Sequence, residues 1–355
     1  MSIDSDFWAG RRVLVTGHTG FKGAWLSLWL QSLGAEVSGL ASGRPSDPCL
    51  YELAAVGEGV SEQLLDIRDG EAVRKAIASA DPEIVLHLAA QPLVRRSLRD
   101  PAMTYAVNVM GTVNVLEGVR QAGERVRAVV IVTSDKCYEN DGRSQRRFIE
   151  SDPLGGHDPY SSSKACAELV TAAYRDSFFA GEGAVRLASA RAGNVIGGGD
   201  WGEDRLVADS VRAVESASAL RIRNPNAVRP WQHVLNPLSG YLCLAQALHA
   251  GEEVARAWNF GPAAADARTV GWIVTRLGEL WDGALVAELD DAQNPPEAPY
   301  LELDSTDAEQ QLGWHCRWNL DETLALVVEW HRAQLRGEDM RTVSLAQIER
   351  FSRAA

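Results

Sequence analysis

Residues 13 to 23 read Val13-Leu14-Val15-Thr16-Gly17-His18-Thr19-Gly20-Phe21-Lys22-Gly23: an apolar run, a turn with glycine at every third position, and the start of a helix. Over Lys22–Leu33 the residues Trp25, Leu26, Trp29, Leu30 and Leu33 recur at helical spacing and form one apolar face, and Gly34 supplies a stop. A strand, a glycine turn and a helix in this order make a cradle for a pyrophosphate. Gly17 permits the tight turn, Gly20 lets the backbone approach the anion, and Gly23 lets helix and strand pack closely. Free N–H groups at the helix start then bind the charge. Thr19, Phe21 and Lys22 belong to the same turn and are assigned to the cofactor with it.

Working outward, Arg12–Thr16 is followed by strand candidates at Glu36–Ala41, Gln63–Ile67, Glu83–Ala90 and Ala128–Ser134. Helical periodicity covers Asp69–Ala80 and Pro101–Ala122, the latter with proline at its first position. Continuously apolar strands alternating with helices predict an α/β fold, a Rossmann-type doubly wound parallel sheet covered on both faces. After about Asn194 the pattern loosens. Gly197-Gly198-Gly199 and Asn224-Pro225-Asn226 mark loops, and helices at Asp204–Ala217, Pro237–Ala250 and Thr269–Leu280 outnumber strands. The division expected is a dinucleotide-binding domain over 1–193, carrying the catalytic residues, and a smaller, mixed C-terminal substrate-binding lobe over 194–355. Some segments of that lobe should return to the sheet.

With 46% hydrophobic and 23% charged residues, a chain of 355 residues can bury a sizeable core. A net charge of −13 and a pI near 5.1 argue against nucleic acid or an anionic membrane as partner. The five cysteines, Cys49, Cys137, Cys166, Cys243 and Cys316, are widely spaced with no C-x-x-C pair, so neither a disulfide framework nor a zinc site is expected. No metal is implied. Met1 to Gly10 lacks the apolar core of a signal peptide and no apolar run reaches 18 residues. A cytoplasmic location follows as the expectation.

Two further segments extend the cofactor reading. Asp66-Ile67 ends the third strand, where a carboxylate can accept a hydrogen bond from an adenine amino group. Leu88-Ala89-Ala90 ends the fourth, and its small residues leave room beside the backbone. One feature is missing. NAD-binding folds place an acid about 20 residues on, at the end of the second strand, and here that stretch reads Leu40-Ala41-Ser42-Gly43-Arg44. Arg44 either receives the 2′-phosphate of NADP or faces solvent. NAD is the cofactor expected, with NADP second.

Tyr160-Ser161-Ser162-Ser163-Lys164 follows Asp158-Pro159 on a predicted helix, so the phenol and the ammonium share one helical face. A neighbouring lysine and a cationic nicotinamide ring both favour the phenolate, which then acts as a base toward a sugar hydroxyl. Tyr160 and Lys164 therefore count as both catalytic and cofactor-contacting. The preceding strand ends in Thr133-Ser134, where a hydroxyl completes a triad.

The G-x-x-G-x-x-G spacing resembles the short-chain dehydrogenase variety, and Ser134-Asp135-Lys136-Cys137-Tyr138-Glu139-Asn140 resembles the CDP-glucose 4,6-dehydratase branch of its sugar-nucleotide enzymes. Gly17–Gly23 and Ala90-Gln91-Pro92-Leu93-Val94-Arg95-Arg96-Ser97 agree, as do Asp152-Pro153-Leu154-Gly155-Gly156 and Arg229-Pro230-Trp231-Gln232-His233-Val234. The resemblance runs from about residue 10 to about residue 330. It implies that Ser134, Tyr160 and Lys164 perform the redox half of the reaction and that Asp135 is the acid for loss of water. Lys136 stands where relatives carry glutamate, either as the C5 base or as a charge that steadies the enolate oxygen. Gln91, Asn194, Arg205, Arg229 and His233 become substrate contacts, the substrate CDP-glucose or a related sugar nucleotide, and the assembly a homodimer or homotetramer. Two alternatives share these residues. An epimerase or reductase would use Tyr160 and Lys164 without needing Asp135, and a non-catalytic dinucleotide-binding regulator would need neither Tyr160 nor Lys164.

The absent acid at Ala41 removes a charge-assisted hydrogen bond to the ribose, a class worth about 1.5–3 kcal/mol, and His18 adds bulk to the glycine turn. NAD should accordingly bind only moderately, and activity of the purified protein should rise when NAD is added. Full, non-exchanging NAD occupancy after purification would contradict this.

Overall fold

A computed structural model describes residues 3–142, 145–181, 183–290 and 299–354, the side chain of Glu124 excepted. Seven strands form the main sheet: β1 (Arg12–Thr16), β2 (Glu36–Ala41), β3 (Val60–Leu64), β4 (Ile84–His87), β5 (Ala128–Val132), β6 (Arg186–Arg191) and β7 (Ala257–Asn259). All pair in parallel, in the order β7-β6-β5-β4-β1-β2-β3. The order reverses between β1 and β4, and such a switch point opens a crevice at the carboxyl ends of the strands.

Burial follows position in the sheet. Every residue of β4 and β5 is buried, because helices cover both faces of these central strands. The edge strand β3, Val-Ser-Glu-Gln-Leu, is largely open. Its polar composition carries no continuous apolar signal, so the expected span Gln63–Ile67 is displaced by three residues from the observed one. Glu83–Ala90 and Ala128–Ser134 also end earlier than expected, at His87 and Val132. There the chain leaves the sheet to build the crevice.

Helix α1 (Phe21–Ser32) buries eight of its twelve residues. Asp69 caps α2 (Gly70–Ala80) by accepting hydrogen bonds from the N–H groups of Glu71 and Ala72. The stretch expected as one helix over Pro101–Ala122 is interrupted by a π turn at Ala106–Met110 before α3 (Gly111–Ala122). A π turn rotates one residue out of helical register, and here it directs Asn108 inward. The catalytic candidates ride on α4 (Pro159–Phe178), capped by Asp158, which accepts from the N–H of Ser161.

The C-terminal part supplies β7 to the main sheet and the buried helix α5 (Leu235–Ala250), which lies against β5 and β6. Three short strand pairs link its remaining segments: Val195–Ile196 with Gln232–His233, Val228–Pro230 with Ala267–Thr269, and Leu220–Ile222 with Ala287–Leu289. They enclose a core of their own around Val207, Trp231, Ile273 and Leu324. The largest core nevertheless spans both halves, joining Trp8, Trp25 and Trp29 to Trp258, Trp318, Trp330 and Phe351.

Three of the four buried histidines, His87, His233 and His331, lose basicity through burial. Burial brings His87 and His233 down to about 3 and His331 to about 4. Unfolding releases them to the ordinary value of about 6.5, so between about pH 6.5 and pH 4 the unfolded chain binds protons that the folded one refuses. Stability should fall as pH drops through that window, with a slope approaching roughly 4 kcal/mol per pH unit for three protons. Urea unfolding at half-unit pH steps would measure it; a slope below one proton's worth would show that the histidines are not neutral in the fold.

Candidate active site

The crevice is made by two backbones in contact. Gly17 has φ +73°, and a Cβ there would stand 2.8 Å from the Cα and N of Ala89. A Cβ at Gly23 would stand 2.0 Å from the carbonyl oxygen of Gly17. No residue but glycine fits either place. The N-cap of α1 is Gly20, which has no side-chain hydrogen bond to offer, so the first N–H groups of the helix face the turn uncapped. Uncapped donors above a glycine floor fit the pyrophosphate of a dinucleotide. Leu88, Ala89 and Ala90 line the other wall immediately beyond β4, with the Ala89 N–H donating to Thr16 Oγ1 at 3.2 Å. Asp66 and Ile67 lie past the end of β3 rather than on it, and the carboxylate of Asp66 is taken by Arg68, whose Nη2 donates at 2.6 Å. Arg44 is exposed to solvent but does not stand free: it is ion-paired to Glu52 and Glu62.

Past β5, Ser134 caps the short turn Asp135–Cys137 by accepting from the Lys136 N–H at 3.2 Å. Its own hydroxyl donates to Asp135 Oδ1 at 2.9 Å. The other carboxyl oxygen, Oδ2, is buried with no hydrogen-bond partner. Burial raises the pKa of Asp135, outweighing the opposing pull of Lys136, Ser134, Arg229 and Lys22. A carboxyl whose hold on a proton is strengthened by burial, with one oxygen uncommitted, is suited to donate to a substrate. Space for it exists because residue 193 is glycine, where a Cβ would stand 2.1 Å from Asp135 Oδ2.

Tyr160 comes to the same place from α4. Burial pushes its phenol up to about 12, while the hydrogen bond with Ser134 and the charge of Arg205 act the other way. Lys164 donates to the Val132 carbonyl at 3.3 Å, and burial brings its ammonium down to about 8. Helical spacing assigned the lysine the task of lowering the tyrosine's pKa; in the folded chain burial dominates the phenol. Lys22 also turns toward this site. Its ammonium donates to Tyr241 Oη at 3.3 Å, and burial, then the charges of Arg205 and Lys164, bring it down to about 7.

Of the substrate candidates, Arg205 is held by Asp200 at 2.7 Å and acts electrostatically on Lys22 and Tyr160. Arg229 acts on Asp135, and Asn194 follows Gly193 directly. These three share the site. Two others do not. The Gln91 amide donates to Thr104 and the Leu93 carbonyl and accepts from the Leu93 N–H, so it shapes its own loop. His233 is fully buried, edge-on to Trp25 and Trp318, and accepts from the Leu235 N–H. Packing replaces the substrate contact expected of it.

Behind the catalytic groups lies a network that sequence inspection missed. Glu168, one turn beyond Lys164, accepts from Thr133 Oγ1, from Ser189 Oγ at 2.7 Å and from Arg191 Nη2 at 2.7 Å. Arg191 continues to Tyr138 Oη at 2.7 Å, and Tyr138 to Asn259 Oδ1 at 2.7 Å. Asn108 in the π turn accepts from the Gln91 N–H and donates to Ser163 Oγ, fastening α4 from the other side. Spacing offered one signal, Glu168 on the same helical face as Tyr160 and Lys164. Among the described residues no group of three or more His, Cys, Asp or Glu could hold a metal ion, and no helix is long and apolar enough to cross a membrane.

The pattern of the NAD dependent epimerase/dehydratase family matches residues 13–261. The chain is 51% identical over 361 aligned residues to the CDP-glucose 4,6-dehydratase of Salmonella typhimurium, covering 99% of each. It is 25% identical over 343 residues to a probable dTDP-glucose 4,6-dehydratase of Sinorhizobium fredii, covering 90% of this chain and 92% of the relative. Among solved structures, the UDP-glucose 4-epimerase of Thermus thermophilus in complex with NAD superimposes with a TM-score of 0.75 at 27% identity, covering 90% of this chain and 98% of that one.

Glu168 and Arg191 form an ion pair with side chains only 3% and 4% exposed. Removing one charge leaves the other buried alone, which costs about 3–5 kcal/mol. Glu168→Gln should lose stability of that order in urea unfolding, whereas a loss below about 1 kcal/mol would mean that the pair behaves as a surface bridge.

Proposed function

The chain belongs to the NAD dependent epimerase/dehydratase family, and from that premise we propose that it is a sugar-nucleotide 4,6-dehydratase converting CDP-glucose to CDP-4-keto-6-deoxyglucose and water. One observation carries the choice of dehydratase over epimerase. A buried Asp135 with a raised pKa and an uncommitted oxygen stands beside the Ser134–Tyr160 pair, and an epimerase has no step that needs it. The near full-length identity to the Salmonella enzyme supports CDP-glucose as substrate.

The glycine turn, the uncapped start of α1 and the wall at Leu88–Ala90 would hold NAD, with Asp66 and Ile67 proposed at its adenine end. Bound NAD supplies the two-electron acceptor at C4 that later serves as donor at C6, and its cationic ring favours the phenolate of Tyr160. Tyr160, steered by Ser134 and kept near Lys164, takes the proton of the C4 hydroxyl. The resulting C4 ketone makes the C5 hydrogen acidic. Lys136 takes that proton while Asp135 gives one to the C6 hydroxyl, and water leaves. Reduction at C6 with protonation at C5 completes a 4-keto-6-deoxy sugar, so no net oxidation remains. Arg205, Arg229 and Asn194 are assigned to the diphosphate, with the division of labour between 1–193 and 194–355 retained. A cytoplasmic enzyme acting as a homodimer or homotetramer is the fuller reading. Exposed Met110 and Leu169, on helices that pack together, support a second copy on that side.

Two measurements test this. Purified protein given CDP-glucose and NAD should form a 4-keto product without accumulating NADH; stoichiometric NADH and no deoxysugar would replace the reading with a simple dehydrogenase. Lys136→Met should keep transient NADH absorbance while exchange of the C5 hydrogen with solvent deuterium and water loss collapse. Exchange at a near wild-type rate would remove Lys136 as the base.

A further inference from the structure

The end of β2 lacks the acid that usually meets the adenosine ribose, yet a carboxylate is present there from another strand. Glu62 on β3 lies in register with Gly39 of β2. Its Oε2 is 2.9 Å from His18 Nε2, accepts from Tyr51 Oη at 2.9 Å and from Arg44 Nη1 at 3.0 Å. The arrangement depends on residue 39 being glycine, since a Cβ there would stand 2.5 Å from His18 Cγ. Burial opposes ionisation of Glu62, but the hydrogen bonds from His18, Tyr51 and Arg44 outweigh it and hold the carboxyl below its usual range. Arg44 is pinned on three sides: Nε donates to Glu52 Oε1 at 2.5 Å, Nη1 to Glu62, and the guanidinium lies 4.4 Å from the centre of the Tyr51 ring.

The cluster adjoins the glycine turn at two points. His18 is a residue of the turn, and Thr19 Oγ1 donates at 2.6 Å to the carbonyl of Gly43, the residue before Arg44. A dinucleotide whose pyrophosphate rests on that turn brings its adenosine ribose to the end of β2. An arginine there receives a 2′-phosphate when its guanidinium is available. Here one guanidinium faces two carboxylates, so an incoming phosphate would meet net negative charge.

We propose that Glu62 is the residue that sets cofactor choice in this chain, by occupying Arg44 and placing a fixed negative charge where a 2′-phosphate would sit. The selection for NAD thus comes from the third strand, through Arg44, in place of an acid on the second. This rests on the dinucleotide site of the proposed function, and the test separates the two. The full-length protein and its variants are titrated with NAD and with NADP, binding being read by calorimetry without substrate. Glu62→Gln should raise the ratio of NADP to NAD affinity by about tenfold or more, the effect of one added charge-assisted hydrogen bond to the phosphate. Arg44→Ala added to Glu62→Gln should return the ratio to near the wild-type value, because no guanidinium remains to be released. An unchanged ratio in Glu62→Gln, with NAD still bound, overturns the proposal. If Glu62→Gln does not fold, Arg44→Ala alone decides: it leaves both carboxylates unneutralised and should lower the ratio, and no change would overturn the proposal. Wild-type protein that binds neither nucleotide would instead defeat the dinucleotide reading itself.

Discussion

The depth at which α4 sits against the sheet is set by one buried carboxylate, and the placing of every catalytic candidate follows from it. Glu168 cannot be left partly solvated, since an unpaired charge in that environment is costly. It is matched instead by Thr133 at the end of β5 and by Ser189 and Arg191 on β6. Arg191 carries the restraint through Tyr138 to Asn259 on β7. A slip of the helix by one residue, about 1.5 Å of rise, would break all of these contacts together. Tyr160 and Lys164 lie two turns and one turn before Glu168 on the same face, so their distance from Ser134 and Asp135 is fixed by charges buried behind them.

A second restraint operates at the switch point, through backbone rather than side chains. The carbonyl of Gly17 lies where a Cβ of Gly23 would be, and the backbone of Ala89 lies where a Cβ of Gly17 would be. Strand β1, helix α1 and the segment after β4 are thereby drawn together with no side chain between them. The same closeness leaves the first N–H groups of α1 unpaired and facing the crevice. Packing and anion binding are thus two results of one requirement for glycine.

What the sequence disclosed, and what it withheld, divides along the range of the interactions. β1 and β2 are found at their expected residues, and α2 begins one residue after the Asp69 that caps it, because apolar runs and caps are local signals. The Tyr160–Lys164 pair was equally legible, being a matter of helical spacing. The edge strand β3 was misplaced because half-exposed strands need no apolar run. Arg44 could not be assigned because its partners are remote in the chain, Glu52 eight and Glu62 eighteen positions away. His233 lies within a matching motif, yet Trp25 and Trp318 enclose it from segments far before and after it. Gly193 was silent for the same reason: its lack of a side chain acquires meaning only once Asp135 occupies the space.

The remaining question is how one pocket can make Tyr160 a base and Asp135 an acid when burial pushes both toward the protonated form. Ser134 stands between them, bonded to each, and a hydroxyl has a single proton to give. While Ser134 donates to Asp135, it can only accept from Tyr160, so the phenol stays protonated beside a carboxylate. If Tyr160 is a phenolate, Ser134 must donate to it instead, and Asp135 satisfies its Oδ1 by carrying the proton itself. The pair therefore alternates between two self-consistent patterns, and the second provides base and acid at once. Arg205 favours it from the tyrosine side, while burial favours it at the aspartate. A hydroxyl at residue 134 thus links the redox half of the reaction to the elimination half, and alanine there would leave the two protonation states independent.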